Sequence, residues 1–157
     1  MLVAVVSDTH GITEYIDKVK KMINKSDILI HLGDNITDLE YIIKDYNGKV
    51  YGVKGNCDFS NNYPLDMIVE ILDKKIFITH GHKYNVKYDL NSIYFKAKEV
   101  AADAALFGHT HQSLVTQHSN IWLVNPGSAS LPRMSKRSIA FIEVEEGKPL
   151  YPYLVEL

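Results

Sequence analysis

The chain has 157 residues, 46% apolar and 23% charged, and its seventeen basic and nineteen acidic side chains leave a formal net charge of −2. Such a chain is long enough for one globular domain with a buried core, and its balanced charge argues against a general nucleic-acid or membrane binder, which needs a concentrated basic surface. The single cysteine, Cys57, excludes an internal disulfide.

In chain order, Leu2 to Val6 reads as a buried strand. Ile16, Val19 and Ile23 then recur at helical spacing, with Thr13 as the expected N-cap and Glu14 in the first turn. Ile28 to Leu32 is a second strand. Thr37-Asp38-Leu39-Glu40 has capping-box spacing and opens a second helix with an apolar face of Leu39, Ile42, Ile43 and Tyr46, stopped by Gly48. Lys49 to Lys54 is a third strand, and the alternation predicts right-handed crossovers and a largely parallel sheet. Met67 to Leu72 and Ile76 to Thr79 flank Asp73-Lys74-Lys75, which predicts a hairpin. Asp89 precedes a third helix carried by Leu90, Ile93, Ala97, Val100 and Ala101. Strands follow at Ala104 to Phe107, Leu114 to Gln117, Ile121 to Val124, Ile139 to Val144 and Leu150 to Val155, with turns at Ser119-Asn120 and Glu146-Gly147. The pattern predicts a single α/β domain over residues 1–157, a central pair of sheets with helices outside. The N-terminal run meets Asp8 too early for a signal peptide, and no segment approaches the ~18 apolar residues of a membrane helix. A cytoplasmic enzyme with no membrane partner is therefore expected.

The polar residues fall at strand ends. Asp8-Thr9-His10-Gly11 follows the first strand, Gly33-Asp34-Asn35 the second and Gly55-Asn56-Cys57-Asp58 the third. His80-Gly81-His82 and Gly108-His109-Thr110-His111 follow the strands ending at Thr79 and Phe107. Ligands gather outside the carboxyl ends of strands in open α/β sheets, so five clusters can converge on one place. Carboxylates and imidazoles together suit zinc, manganese, iron or nickel. Asp8, His10, Asp34, Asn56, His80, His109 and His111 are too many donors for one tetrahedral ion. They fit two ions that share a bridging carboxylate and activate water for attack on phosphorus.

In order and separation, Asp8-x-His10, Gly33-Asp34, Gly55-Asn56, Thr79-His80 and Gly108-His109-Thr110-His111 resemble the motifs of the calcineurin-like metallophosphoesterases. The chain length, the Gly55-Asn56-Cys57-Asp58 form and Asn125-Pro126-Gly127-Ser128 resemble its small branch, the YfcE-type phosphodiesterases. The resemblance implies a four-layer αββα sandwich, two mixed β-sheets packed face to face with helices on the outside. It implies that Asp8, His10 and His111 hold one divalent metal and that Asn56, His80 and His109 hold another. Asp34 would bridge the two, opposite a bridging hydroxide that attacks a small phosphodiester. Manganese is the first expectation for the metals, with iron, zinc, nickel or cobalt as alternatives. A homo-oligomer, dimer or tetramer, is expected from relatives, and no stable nucleic-acid partner.

One position departs from the wider superfamily. Where many members carry a histidine to protonate the leaving oxygen, this chain has Cys57, and a thiol of pKa ~8.5 is a poor general acid near neutrality. The small branch shares the cysteine, so either the substrates have good leaving groups or another group donates the proton; His82 and Asp58 are the candidates. His31 reads as a supporting or packing residue. For Asn125 and Ser128 a phosphate-positioning role and a structural turn at Pro126-Gly127 are equal alternatives. The same metal chemistry would also serve a phosphomonoesterase or a pyrophosphatase. A non-catalytic scaffold like the retromer subunit is the rival of a different class.

Overall fold

The computed structural model describes all residues, 1–157. Its ten strands are β1 (Leu2–Val6), β2 (Ile28–His31), β3 (Lys49–Gly52), β4 (Asp66–Ile71), β5 (Lys74–Thr79), β6 (Ala104–Leu106), β7 (Ser113–His118), β8 (Ile121–Pro126), β9 (Ser138–Glu143) and β10 (Tyr151–Glu156). The helices are α1 (Thr13–Ile23), α2 (Asp38–Ile42) and α3 (Asn91–Glu99). One five-stranded sheet has the order β10-β9-β1-β2-β3, the other β4-β5-β6-β8-β7.

Alternation along the strands explains why the sheets stack. Successive side chains point to opposite faces. Val3 and Val5 therefore enter one apolar cluster while Ala4 and Val6 enter another, and Ile28 and Ile30 separate from Leu29 in the same way. Ile76, Ile78, Ala104 and Leu106 of the second sheet meet Val3, Val5, Ile28 and Ile30 in a 17-residue cluster between the sheets. The outer face of the first sheet packs on Ile16, Val19 and Ile23 of α1 and on Leu39 and Ile42 of α2. The outer face of the second sheet, through Phe77 and Ala105, packs on Ile93 and Ala97 of α3. With both faces covered, the strands β1 and β6 are apolar throughout, and β2 is apolar up to the buried His31, rather than alternating with polar residues.

The parallel pairings expected from strand–helix alternation are β1 with β2 and β2 with β3; in the second sheet β5 with β6 and β6 with β8 are parallel as well. Antiparallel β9, β10, β4 and β7 make both sheets mixed. The second helix is shorter than its apolar spacing predicts: α2 ends at Ile42 and Ile43–Asp45 tightens into a 3-10 turn. Thr37 and Thr13 make no side-chain caps. Asp38 instead accepts hydrogen bonds from the Thr9 hydroxyl (2.6 Å) and the Gly11 N–H (2.8 Å), tying α2 to the loop after β1. No helix is long and apolar enough to cross a membrane.

Candidate metal centre

β1 and β2 run parallel in one sheet and β5 and β6 in the other, so within each sheet the carboxyl ends of the pair lie side by side. The loops that follow bring the histidines and aspartates into two groups. Donor atoms of Asp8, His10, Asp34 and His111 lie within 4.8 Å of one another, as do those of Asp34, His80 and His109. Asp34 belongs to both, and it is the residue the sequence assigned as the bridge. Gly55 makes the approach possible: a β-carbon there would collide with the Asp34 carboxylate and its N–H.

Hydrogen bonds fix the imidazole tautomers. His80 Nδ1 lies 2.7 Å from the Leu32 carbonyl, and His111 Nδ1 lies 2.6 Å from the Leu131 carbonyl. A carbonyl only accepts, so both Nδ1 atoms carry hydrogen and both Nε2 atoms present lone pairs to the centre. His80 Nε2 faces His109 Nδ1 at 3.2 Å and Asp34 Oδ1 at 3.4 Å. His111 Nε2 faces His10 Nε2 at 3.3 Å and Asp8 Oδ1 at 3.1 Å. Asp8 Oδ2 accepts from the Ser7 hydroxyl (2.5 Å) and the His109 N–H (3.1 Å), while the buried Oδ1 has no hydrogen-bond partner. Acceptors converging on acceptors in a buried pocket repel unless a proton or a cation sits among them. The donor set therefore fits divalent metal.

The charge states follow from the same contacts. The Asp8 carboxylate pushes the His111 pKa upward against the opposing effect of burial and of Arg133. Burial alone would raise Asp8, but the His111 imidazole, the charge of His80 and the Ser7 hydroxyl outweigh it and hold the carboxyl below its usual range. Desolvation, then the charges of His80 and Lys87, press His109 down to about 4, so its ring is neutral near pH 7, the state a metal requires.

Around the donors runs a network of buried polar side chains. Ser128 Oγ donates to the Asp8 carbonyl (2.7 Å) and accepts from the N–H groups of Ser130 and Leu131. Ser130 Oγ lies within hydrogen-bond distance of the carbonyls of Asp8 (3.1 Å) and Thr9 (2.8 Å). The Asn125 amide donates to the Gly108 carbonyl and to Thr110 Oγ1, and its oxygen accepts from the Gly127 N–H. Asn125 and Ser128 are fully buried, so of the two readings offered by the sequence the structure takes the structural one: they hold loops and do not face solvent. His31, also fully buried, accepts from the Gly33 N–H at Nδ1 (3.1 Å) and reaches Thr9 Oγ1 through Nε2 (3.3 Å).

The remaining site residues behave differently from one another. Asn56 is exposed and its amide contacts Cys57 Sγ (3.4 Å), while the Cys57 N–H donates to Asp34 Oδ1 (3.0 Å). Desolvation and the Asp34 carboxylate push the Cys57 thiol up to about 11. His82 has a buried, unpartnered Nδ1, with its ring 5.5 Å from that of His80 and 6.1 Å from that of His109. Asp58 accepts three backbone N–H groups, those of Asp34 and Gly55 at Oδ2 and that of Ile36 at Oδ1. Asp38 and Ser130 each resemble an ordinary helix-start or turn residue, and only their long-range bonds tie them to the site; Ser7 acts on its neighbour Asp8.

Fold and donor set together define a metal-binding α/β sandwich. The family model for the calcineurin-like phosphoesterase superfamily domain matches residues 1–147, and the chain belongs to that family. It is a metallophosphoesterase, a hydrolase whose chemistry uses divalent metal. Among its relatives, "Probable metallophosphoesterase MJ0623" of Methanocaldococcus jannaschii is 36% identical over 151 residues, 93% of this chain and 77% of that protein. "Probable metallophosphoesterase YsnB" of Bacillus subtilis (strain 168) is 32% identical over 148 residues, 92% and 85% of the two chains. Among solved structures, a novel archaeal phosphodiesterase shares the fold at TM-score 0.80 and 22% identity, covering 99% of this chain and 100% of that one. Vps29 of Entamoeba histolytica, complexed with Zn2+, shares it at TM-score 0.79 and 19% identity, covering 99% and 98%.

Proposed function

We propose that this chain is a cytoplasmic phosphodiesterase that hydrolyses small phosphodiesters at two divalent metals, manganese first among them. The observation that carries this reading is the sharing of Asp34 by both donor groups, since a carboxylate is the side chain that can bridge two cations. When bound, the metals polarise the phosphoryl oxygens and lower the pKa of a water toward ~7, making it the nucleophile. Asp8, His10 and His111 would hold one, and His80, His109 and the Asn56 amide oxygen the other. The Leu32 and Leu131 carbonyls orient His80 and His111. The solved archaeal phosphodiesterase of the same fold supports a diester over a monoester or pyrophosphate.

The position of His82, partly exposed with its ring 5.5 Å from that of His80 and 6.1 Å from that of His109, supports it as the group that meets the leaving oxygen. Asp58, with its carboxylate engaged by three backbone N–H groups, is better assigned to holding the Asp34 and Asn56 loops than to donating a proton. Cys57, with its pKa pushed up to about 11, holds its proton too tightly to serve as an acid near neutrality. The Vps29 neighbours, one of them solved with Zn2+, keep a scaffold role in view on fold alone; the family model and the metallophosphoesterase relatives at 32% and 36% identity favour catalysis.

The test is release of p-nitrophenol from bis-p-nitrophenyl phosphate and from p-nitrophenyl phosphate under manganese. Wild type is expected to prefer the diester, and Asp34→Asn and His80→Ala to abolish turnover while keeping the wild-type circular dichroism spectrum. Wild-type rates in either variant would overturn the assignment.

A further inference from the structure

Beside the metal centre lies a cleft of about 400 Å³ lined by Val86, Lys87, Thr110, Gln112, Arg133 and Met134. Thr110 stands between His109 and His111, one from each donor group, so the cleft opens next to both. Lys87 and Arg133 are the only charged residues in its lining. Neither has a carboxylate within ion-pair distance. Two cations without counter-charge face one cavity.

Their backbones are fixed relative to the donors. The Arg133 N–H donates to the His111 carbonyl (2.9 Å). Ser135 Oγ donates to the same carbonyl (3.4 Å) and accepts from the Ser113 N–H (3.3 Å). On the opposite wall, Val86 is buried against Gly81 of the His80-Gly81-His82 turn: a β-carbon on Gly81 would meet its methyl group at 2.8 Å. Lys87 follows it directly.

The scissile phosphate needs neither cation. Two divalent metals against the carboxylates of Asp8 and Asp34 leave surplus positive charge, enough for the single negative charge of a diester. Lys87 and Arg133 therefore face an anion elsewhere on the substrate. Arg presents a planar fork suited to phosphate or carboxylate, Lys a mobile point charge; together they match two negative charges, which a terminal phosphate carries and a carboxylate does not. Resting on the phosphodiesterase reading, we infer that Lys87 and Arg133 form a subsite for a second phosphate, so that the preferred substrates are small diesters bearing an additional phosphomonoester.

A matched pair of substrates tests this: thymidine 5′-(p-nitrophenyl phosphate) and the same compound with a 3′-phosphate. Under manganese, wild type should favour the 3′-phosphorylated ester by roughly tenfold in kcat/KM, chiefly through KM. The preference should shrink with added salt, fall toward unity in Arg133→Ala and in Lys87→Ala, and return in part in Arg133→Lys. Calorimetric titration with thymidine 3′,5′-bisphosphate and thymidine 5′-phosphate, on manganese-loaded and on metal-free protein, reads the subsite without turnover and should show the same preference and the same losses. Equal affinities and equal kcat/KM in wild type, or a preference untouched by both alanine variants, would overturn the subsite while leaving the phosphodiesterase reading intact. Absence of p-nitrophenol from either ester would instead sink that reading, and the titrations would still decide the subsite.

Discussion

Acidification should destabilise the metal-free protein through His31. This imidazole is wholly enclosed, accepts the Gly33 N–H at Nδ1 and reaches the Thr9 hydroxyl through Nε2. The Thr9 hydroxyl in turn donates to Asp38. A second proton would sit on Nδ1 and point at the Gly33 N–H, donor against donor, in a fully buried position. Burial, opposed by the charges of Asp38, Asp58 and Asp8, lowers its pKa from 6.5 to about 4. The unfolded chain takes up the proton near 6.5 and the folded chain only near 4. Between those values the unfolded state binds more protons, so stability falls as pH falls. At about 1.4 kcal/mol per pH unit, lowering the pH from about 7 to about 5 removes roughly 2 kcal/mol through this one residue. Urea unfolding of wild type and His31→Gln, both in chelator, measures it: wild type should lose about 2 kcal/mol more than the variant over that interval. His109, whose pKa is also lowered, and His111, whose pKa is raised, titrate in both proteins and cancel. If His31→Gln folds poorly, the His31 resonances in wild type give the pKa directly. Parallel loss in both proteins, with His31 titrating near its ordinary value, would refute the reasoning.

Gly55→Ala should place a methyl group against the Asp34 carboxylate and cost about 1–3 kcal/mol of stability; elemental analysis should find metal sharply reduced in a protein of unchanged circular dichroism. His82→Ala should leave p-nitrophenyl esters, which need no proton on departure, far less affected than alkyl esters; equal losses for both would remove His82 from the leaving-group role. Metal removal by chelation should lower stability, and with it Tm, by an amount that grows with the metal concentration used for comparison, about 2.7 kcal/mol per ion at a hundredfold excess over Kd. A single cooperative transition should nevertheless remain, as calorimetry will show.

Much of the fold was legible because its signals are local and repeated. Every strand from Leu2–Val6 to Tyr151–Glu156 lies within a residue or two of its apolar run, and the metal donors stand out because aspartate and histidine rarely gather at successive strand ends. Two kinds of feature were not legible. The start of α2 is tied by Asp38 to Thr9 and Gly11, a tertiary contact that capping-box spacing cannot anticipate. The cleft of Lys87 and Arg133 joins residues 46 positions apart in sequence, neither adjacent to a recognisable motif. Asp58 reads from sequence as an acid beside the metal loop; its three backbone partners belong to two different loops and appear only when the chain is folded.

The backbone at the donors is itself informative. Asp8, His10, Asp34, His109 and His111 all have positive φ, between 48° and 66°, a left-handed conformation that costs a non-glycine residue on the order of 1 kcal/mol or more. Five such residues in one place would open the loops were they not held. The holding groups are identifiable: Ser128 and Ser130 on the Asp8 carbonyl, Asp58 on the Asp34 N–H, Asn125 on the Gly108 carbonyl and Asp8 Oδ2 on the His109 N–H. All are hydrogen bonds within the chain, most of them buried where they are strongest. The loop conformations at the donors are therefore held by the chain's own hydrogen bonds. In small zinc modules metal affinity supplies the folding energy; here a ten-strand fold with a 17-residue core between its sheets carries those loops.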